Sequence, residues 1–297
     1  MNVNSNNQEQ RYKKPTAGQV IAGCLAGSTV KNVVALPHQI ISPKIMHKMV
    51  AISNSLKPDE FAKVGEAIEQ SISSSGLKEK GIQIVKAGLE NETEIVEIMG
   101  REYNKGIFKF MPKAIKSFLA DNGSAAVING KNAFYAPASK KVVIPQKGLE
   151  LATFHEIGHA LNANMSKFGK ILQKSRGLQL LSIPIALIAL FKTKKAEGEE
   201  PKNGLDKATT FVKNNAGKLT FATFIPMLAE EGLATIKGNN IAKKLLSPEL
   251  AKKVAKSNAL GFSTYLMLAT LSSLGIYLGV KVKDAIAHKK SVEQQKA

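Results

Sequence analysis

The sequence predicts an α+β protein that is mostly α-helical, with a small antiparallel sheet and one to three membrane helices. Apolar residues recur at helical spacing on both sides of a short β-prone stretch, residues 125–145. Residues 258–280 form an uncharged apolar run, longer than the about 20 residues that a helix needs to cross a bilayer. These observations indicate a largely helical body with a membrane anchor.

The N-terminal segment and the cysteine content bear on the cellular compartment. Residues 1–14 are polar and are predicted to be disordered. The Gly-rich run 16–30 that follows them is too weakly apolar for a typical signal peptide. Cys24 is the single cysteine, which excludes an intramolecular disulfide and a cysteine-based zinc site. The absence of disulfide potential is compatible with a reducing compartment.

Helical periodicity dominates the first half of the chain. Residues 57–106 have apolar positions at helical spacing, and a helix is predicted over 92–103 within that range. A further helix is predicted to begin at Pro112 and to stop near Asn122 and Gly123, a pair that is common at helix ends.

Three short β-prone segments follow, at residues 125–128, 133–136 and 141–145. Asn-Gly and Pro-Ala-Ser sequences separate them, so we expect tight turns and an antiparallel sheet. Helix is predicted to resume near Gly148.

Three apolar segments are candidates for membrane helices. Residues 258–280 are predicted to span the bilayer because the run is long and is bracketed by Lys256 and Lys281. Residues 177–191 and 219–229 are shorter, and each contains a proline. For these two, a buried or re-entrant helix is an open alternative.

The formal net charge of +19 predicts a polyanionic neighbour. The lysines cluster beside apolar segments and do not alternate with aromatic residues, which favours an anionic membrane surface over nucleic acid. Nucleic acid is therefore not expected as a partner. The clusters are Lys192, Lys194 and Lys195, then Lys252, Lys253 and Lys256, then Lys281 and Lys283.

The sequence His155-Glu156-Ile157-Gly158-His159 is the main functional motif. Two histidines four residues apart lie on one face of a helix and can bind a single zinc ion. Glu156 can then act as general base for a metal-bound water, and Gly158 allows a neighbouring backbone to pack closely. The alternative is a pair of surface histidines that bind no metal.

A catalytic zinc usually has three protein ligands. His38, His47 and His288 form no recognisable ligand arrangement, whereas Glu230 and Glu231 follow an apolar run and need a compensating positive charge if buried. Glu231 is the preferred third ligand. Glu230 as the ligand, or a solvated pair at a helix end, are the alternatives.

His155-Glu-x-x-His159 with a downstream Glu231-Gly-Leu-Ala resembles the gluzincins, a family of zinc peptidases. The resemblance implies a zincin-like catalytic domain, zinc ligands at His155, His159 and Glu231, and Glu156 as the base. Asn162 and Met165 occupy positions where the metzincins have glycine and histidine, so that family is excluded.

The long interval between His159 and Glu231 contains two apolar segments. This layout is similar to the membrane gluzincins of the CAAX prenyl protease and heat-shock membrane protease type, in which a transmembrane hairpin separates the two ligand helices. Their glutamate lies in a Glu-x-x-Ala-Asp pattern, and Thr235 replaces that aspartate here. A single span between the ligands would place them on opposite sides of the membrane. The zinc-site hypothesis therefore requires that both apolar segments cross the membrane as a hairpin, or that neither does.

Three regions are predicted. They are an N-terminal helical region (1–105), a zincin-like catalytic domain (106–257) with an apolar insertion (177–229), and a membrane helix with a basic tail (258–297). The predicted function is zinc-dependent hydrolysis of peptides or proteins at a membrane, the cell inner or plasma membrane, with the site on the cytoplasmic side. A non-catalytic membrane scaffold is the main alternative, and a nucleic-acid-binding protein is the less favoured one. Tyr103, Tyr135 and Tyr265 are candidates for stabilising the oxyanion.

Overall fold

The computed structural model describes residues 15–193 and 200–293, without the side chains of 107–108 and 288–293. The predicted disorder of residues 1–14 lies outside this range. The described residues form ten α-helices and three strands, joined in places by 3₁₀ turns. In chain order the elements are α1 (Ala17–Asn54), α2 (Pro58–Ser74), β1 (Gln83–Ala87), α3 (Glu92–Tyr103), α4 (Lys113–Ile128), β2 (Phe134–Ala136), β3 (Lys141–Pro145), α5 (Thr153–Met165), α6 (Lys167–Ser175), α7 (Ser182–Phe191), α8 (Gly204–Asn214), α9 (Ala216–Leu245) and α10 (Pro248–Glu293).

The prediction of a mostly helical chain with a small sheet is confirmed, but the sheet is mixed and not purely antiparallel. The strand order is β1-β3-β2, with β1 parallel and β2 antiparallel to β3. β3 is central because its sequence, Lys-Val-Val-Ile-Pro, buries apolar side chains on both faces. β2 is left as an edge strand of the sheet.

Two local predictions were wrong. Residues 125–128, predicted as a strand, are the last turn of α4, which continues through Asn122 and Gly123. Residues 83–87, predicted as helix, form β1 and pair with β3 in the register Gln83 to Lys141. The helices predicted over 92–103 and after Gly148 are confirmed as α3 and α5.

The chain divides into two units. Unit 2 comprises Pro37–Leu180 and Thr223–Ala269, and it contains the sheet and α5. Its largest apolar core includes Phe154, Ile157 and Ala160 of α5, which share one side of that helix. Because these side chains pack against the sheet and against α2, α9 and α10, they fix the position of α5.

Unit 1 comprises the described residues up to 36, Leu181–Ala222 and the described residues from 270 onward. Its core joins Ala189 and Leu190 of α7 to Ile276 of α10. The buried Lys283 amine of α10 donates a hydrogen bond to the carbonyl of Ala189, 3.3 Å away. This bond satisfies a carbonyl near the C-terminus of α7, where the helix itself supplies no donor.

Glycines bring α1 and α10 into backbone contact within unit 1. A Cβ atom on Gly27 would lie 2.5 Å from the carbonyl oxygen of Gly279, so neither position accepts a larger residue without a shift. Each glycine ends a Gly-x-x-x-Gly sequence, beginning at Gly23 and Gly275 respectively. This spacing is typical of helices that pack together inside membranes.

Four helical segments are long and apolar enough to cross a membrane: Ala17–Asn54, Lys167–Phe191, Ala216–Leu245 and Pro248–Ala287. The last three contain the three predicted apolar segments. Ala17–Asn54 was not predicted as a candidate span: only the weakly apolar run 16–30 was considered in the sequence, whereas the helix continues through Pro37 and Pro43 to Asn54.

Candidate metal centre

α5 places the two histidines of the motif one above the other. His155 and His159 are both buried, and their rings meet edge to face with centroids 4.5 Å apart. The Nε2 atoms of the two rings lie 3.0 Å apart. This spacing follows from the four-residue separation on a helix, and it directs both nitrogens toward one point.

Glu231 of α9 completes a three-atom group. Its Oε2 atom lies 3.0 Å from Nε2 of His155 and 3.5 Å from Nε2 of His159. Ligands bound at about 2.1 Å to a tetrahedral ion are about 3.4 Å apart, which agrees with these distances. His155, His159 and Glu231 therefore form a buried group that could hold a metal ion.

Two glycines allow α5 and α9 to approach this closely. A Cβ atom on Gly158 of α5 would lie 2.1 Å from the carbonyl oxygen of Ala234 in α9. From the other side, a Cβ on Gly238 would lie 2.3 Å from the carbonyl oxygen of Phe154. The predicted role of Gly158 in close packing is confirmed.

The Nδ1 atom of each histidine has its own partner. Nδ1 of His159 lies 2.8 Å from Oε1 of Glu230, and Nδ1 of His155 lies 3.2 Å from the hydroxyl of Thr235. With a proton on each Nδ1, both Nε2 atoms carry a free lone pair, which is the tautomer that metal binding needs. The neighbouring glutamates therefore have different positions: Glu231 belongs to the ligand group, and Glu230 orients His159.

Arg176 also contacts this group, and the sequence did not predict it. It lies in the 3₁₀ turn between α6 and α7, and its guanidinium is 2.6 Å from Oε2 of Glu230 and 2.5 Å from Oε1 of Glu231. Asn162 adds a hydrogen bond of 3.0 Å from its amide to Oε1 of Glu230. The available signal was an arginine at the border of an apolar segment, in a chain whose buried carboxylates need compensation.

The acidic residues favour a positive charge at the centre. Burial alone would lower the pKa of His159, but the carboxylates of Glu231 and Glu230 raise it to about 10. A raised pKa favours the protonated, positively charged form of His159. A divalent cation bound at the three ligand atoms would replace that proton, since metal ligands must be deprotonated.

Glu156 lies on α5 next to the first histidine. Burial raises the pKa of its carboxyl group, although His159 and His155 oppose this shift. A carboxylate with a raised pKa is a stronger proton acceptor, as a general base requires. Glu156 and His159 both line a cavity of about 720 Å³ in unit 2.

The edge strand β2 forms part of the same cavity wall, through Phe134 and Tyr135. Tyr103 and Tyr265, the other two predicted oxyanion stabilisers, also line it. The Tyr135 hydroxyl accepts a hydrogen bond of 2.8 Å from Asn164. All three tyrosines therefore remain candidates by position.

No protein-family model, curated protein or solved structure matches this chain. The resemblance to gluzincins consequently remains a prediction from the two sequence motifs. Neither His38 nor His47 belongs to the ligand group, as expected, and the side chain of His288 lies outside the described residues.

Among the described residues, two candidate membrane helices follow His159 up to the third ligand. They are Lys167–Phe191 and Ala216–Leu245, and the second contains Glu231 itself. Glu231 lies beside the histidines in the structure, which agrees with either arrangement that the zinc-site hypothesis allows: a hairpin of two spanning segments, or two core helices.

Proposed function

We propose that this protein is a zinc-dependent peptidase associated with a membrane. The observation that carries the proposal is the convergence of two histidine nitrogens and one carboxylate oxygen within 3.5 Å of one another, beside Glu156. Two imidazoles and one carboxylate are a ligand set found in catalytic zinc sites, and three ligands leave one position open for water. Zinc is therefore the expected metal.

The proposed reaction is hydrolysis of a peptide bond by water. When bound, zinc supplies two effects: it lowers the pKa of a water molecule toward about 7 and polarises the substrate carbonyl. Glu156 accepts the proton of the attacking water and delivers it to the amine that leaves when the C–N bond breaks. Glu230 and Thr235 hold the two imidazoles in the required tautomer, and Arg176 holds Glu231.

The edge strand β2 provides a binding mode for the substrate. In this proposal an extended peptide pairs with the outer edge of Phe134–Ala136 and lies along the cavity wall, which also includes Glu156. Backbone pairing selects for extended segments and not for a particular side chain. The proposed substrate is therefore an extended peptide or an unfolded region of a protein.

The membrane location rests on the four candidate spans and on the surface of unit 1. Leu25, Ile183 and Phe191 are each more than half exposed, which is costly in water but favourable against lipid. The Gly27–Gly279 contact is of the kind that membrane helices use. An anionic bilayer, the inner or plasma membrane with the site on its cytoplasmic side, is the proposed setting.

Metal content tests the proposal. The detergent-purified chain is expected to contain about one zinc per molecule, and His159→Ala and Glu231→Ala are expected to lose it, because each removes one of three ligands. His47→Ala is the matched control, since this exposed histidine is outside the group. Elemental analysis after purification without chelators gives the result. A wild-type chain without metal would favour the non-catalytic scaffold.

The variant Glu230→Gln tests which of the two glutamates is the third metal ligand. The amide keeps the shape of the side chain but weakens the interaction with Nδ1 of His159, and partners of this kind typically contribute 10–100-fold to metal affinity. We expect zinc affinity to fall by about that factor, less than for Glu231→Gln. Competition with a chromogenic chelator measures both. A larger loss for Glu230→Gln would make Glu230 the third ligand.

A further inference from the structure

Residues 105–118, here called the basic apolar segment, expose large apolar side chains. Phe110 is 77% exposed, Phe118 is 65% exposed and Ile115 is 45% exposed. The segment includes the 3₁₀ turn Gly106–Phe110 and the first turns of α4. Two phenyl rings this exposed in a short segment mark an interaction surface.

The exposed apolar residues of α4 do not serve its packing within unit 2. The buried face of α4 consists of Ala120, Ser124 and Val127. At 100° per residue, Ile115 and Phe118 lie on the opposite side of the helix. The helix therefore has two apolar faces, of which only one is covered.

All charged side chains of the basic apolar segment are positive. Lys105, Lys109, Lys113 and Lys116 are its ionisable residues, and no acidic residue occurs between Glu102 and Asp121. The Lys116 amine donates hydrogen bonds to the carbonyl of Lys109 (2.9 Å) and to the side chain of Asn104 (3.0 Å). These bonds tie the 3₁₀ turn to the first turn of α4. At 100° per residue, Lys113 and Lys116 lie on the side of α4 opposite Ile115 and Phe118.

We propose that the basic apolar segment inserts into the surface of an anionic bilayer, with Phe110, Ile115 and Phe118 at the acyl boundary and the lysines among the headgroups. A short helix with aromatic and aliphatic residues on one face and lysines on the other is the pattern of interfacial membrane binding. Each lysine near an anionic surface adds attraction, and no carboxylate in the segment opposes it. A protein partner would need a matching acidic and apolar face, whereas a bilayer supplies both features to any such segment.

The position of the segment connects it to the candidate metal centre. Lys105 and Gly106 line the cavity that contains Glu156 and His159. Insertion of the adjoining residues would hold this cavity at the bilayer surface, where extended segments of membrane-associated proteins are available. The insertion itself requires neither metal nor hydrolysis, so its test is independent of the proposed peptidase activity.

The chain contains no tryptophan, which allows a single-reporter experiment on the full-length protein. Phe118→Trp is reconstituted in nanodiscs made with brominated lipids, either anionic or neutral. We expect at least about a twofold loss of fluorescence in the anionic discs relative to unbrominated discs, because the indole lies at bromine depth. Leu89→Trp is the matched control: Leu89 is 78% exposed but is followed by Glu90 and Glu92, so its reporter should not be quenched.

Charge reversal tests the electrostatic part. Adding Lys109→Glu and Lys113→Glu to the Phe118→Trp chain is expected to reduce quenching to the level of the Leu89→Trp control. Three outcomes overturn the proposal: a water-exposed reporter in both lipids, a reporter that is shielded but unquenched because a second copy or another protein covers it, and quenching that is equal in neutral discs and insensitive to the lysines.

Discussion

Glu156→Gln is expected to lower peptide hydrolysis by about 10²–10⁴-fold while the zinc content stays at the wild-type level. The carboxylate lies next to the metal ligands on α5 but outside the ligand group, so its removal leaves the three metal-binding atoms in place. Glutamine has the same shape, but its amide cannot accept the proton of the attacking water. This variant should therefore bind zinc as the wild type does but hydrolyse peptides far more slowly.

The measurement uses a mixture of extended, internally quenched peptides, since the natural substrate does not need to be known to compare two enzymes. Glu97→Gln is the matched control, because Glu97 is an exposed glutamate of α3 that forms an i, i+4 pair with Arg101. Full activity in Glu156→Gln would remove Glu156 from the mechanism. Loss of zinc together with activity would instead assign Glu156 to the metal ligands.

The proposed site could be predicted from the sequence because its parts have fixed local spacing. His155, Glu156 and His159 lie within five residues of one helix, so periodicity alone places the two imidazoles together. Glu231 was found through its chemistry, as a carboxylate beside an apolar run. Both predictions depend on covalent neighbours and not on the distant packing of the chain.

Arg176 and β1 could not be predicted in this way because both depend on distant contacts. Arg176 acquires its role only when α9 brings Glu230 and Glu231 beside it, 54 residues along the chain from Glu230. β1 pairs with β3, and its five residues have no strand signal strong enough to exclude the helical pattern around them. Contacts between residues far apart in the chain therefore determine both the role of Arg176 and the formation of β1.

The extension of α4 was also not predicted. Asn122 and Gly123 are typical of a helix end, but α4 continues through them to Ile128, and Met99 of α3 lies over Gly123. A Cβ at this position would lie 2.1 Å from the methyl carbon of Met99. Gly123 therefore lies inside α4 and does not end it.

The close backbone contact between α5 and α9 gives the second large prediction, which concerns Gly158→Ala. The added methyl group would meet the carbonyl oxygen of Ala234 at 2.1 Å, a distance that only a movement of α9 relative to α5 can relieve. Since Glu231 is on α9 and the histidines are on α5, such a movement separates the third ligand from the other two. We expect zinc content to be lost and the free energy of unfolding to fall by about 3 kcal/mol or more.

Gly238→Ala provides an independent check from the facing helix. Its methyl group would meet the carbonyl oxygen of Phe154 at 2.3 Å, so it should separate the same two helices and give the same loss of zinc. Gly65→Ala is the control: this glycine is inside α2 with no atom within 4 Å of an added Cβ, and alanine there should be neutral or stabilise by up to about 1 kcal/mol. Elemental analysis and thermal unfolding followed by circular dichroism report both effects. If Gly158→Ala and Gly238→Ala retain zinc at wild-type stability, α5 and α9 are not in backbone contact, and a metal centre built from both helices is wrong.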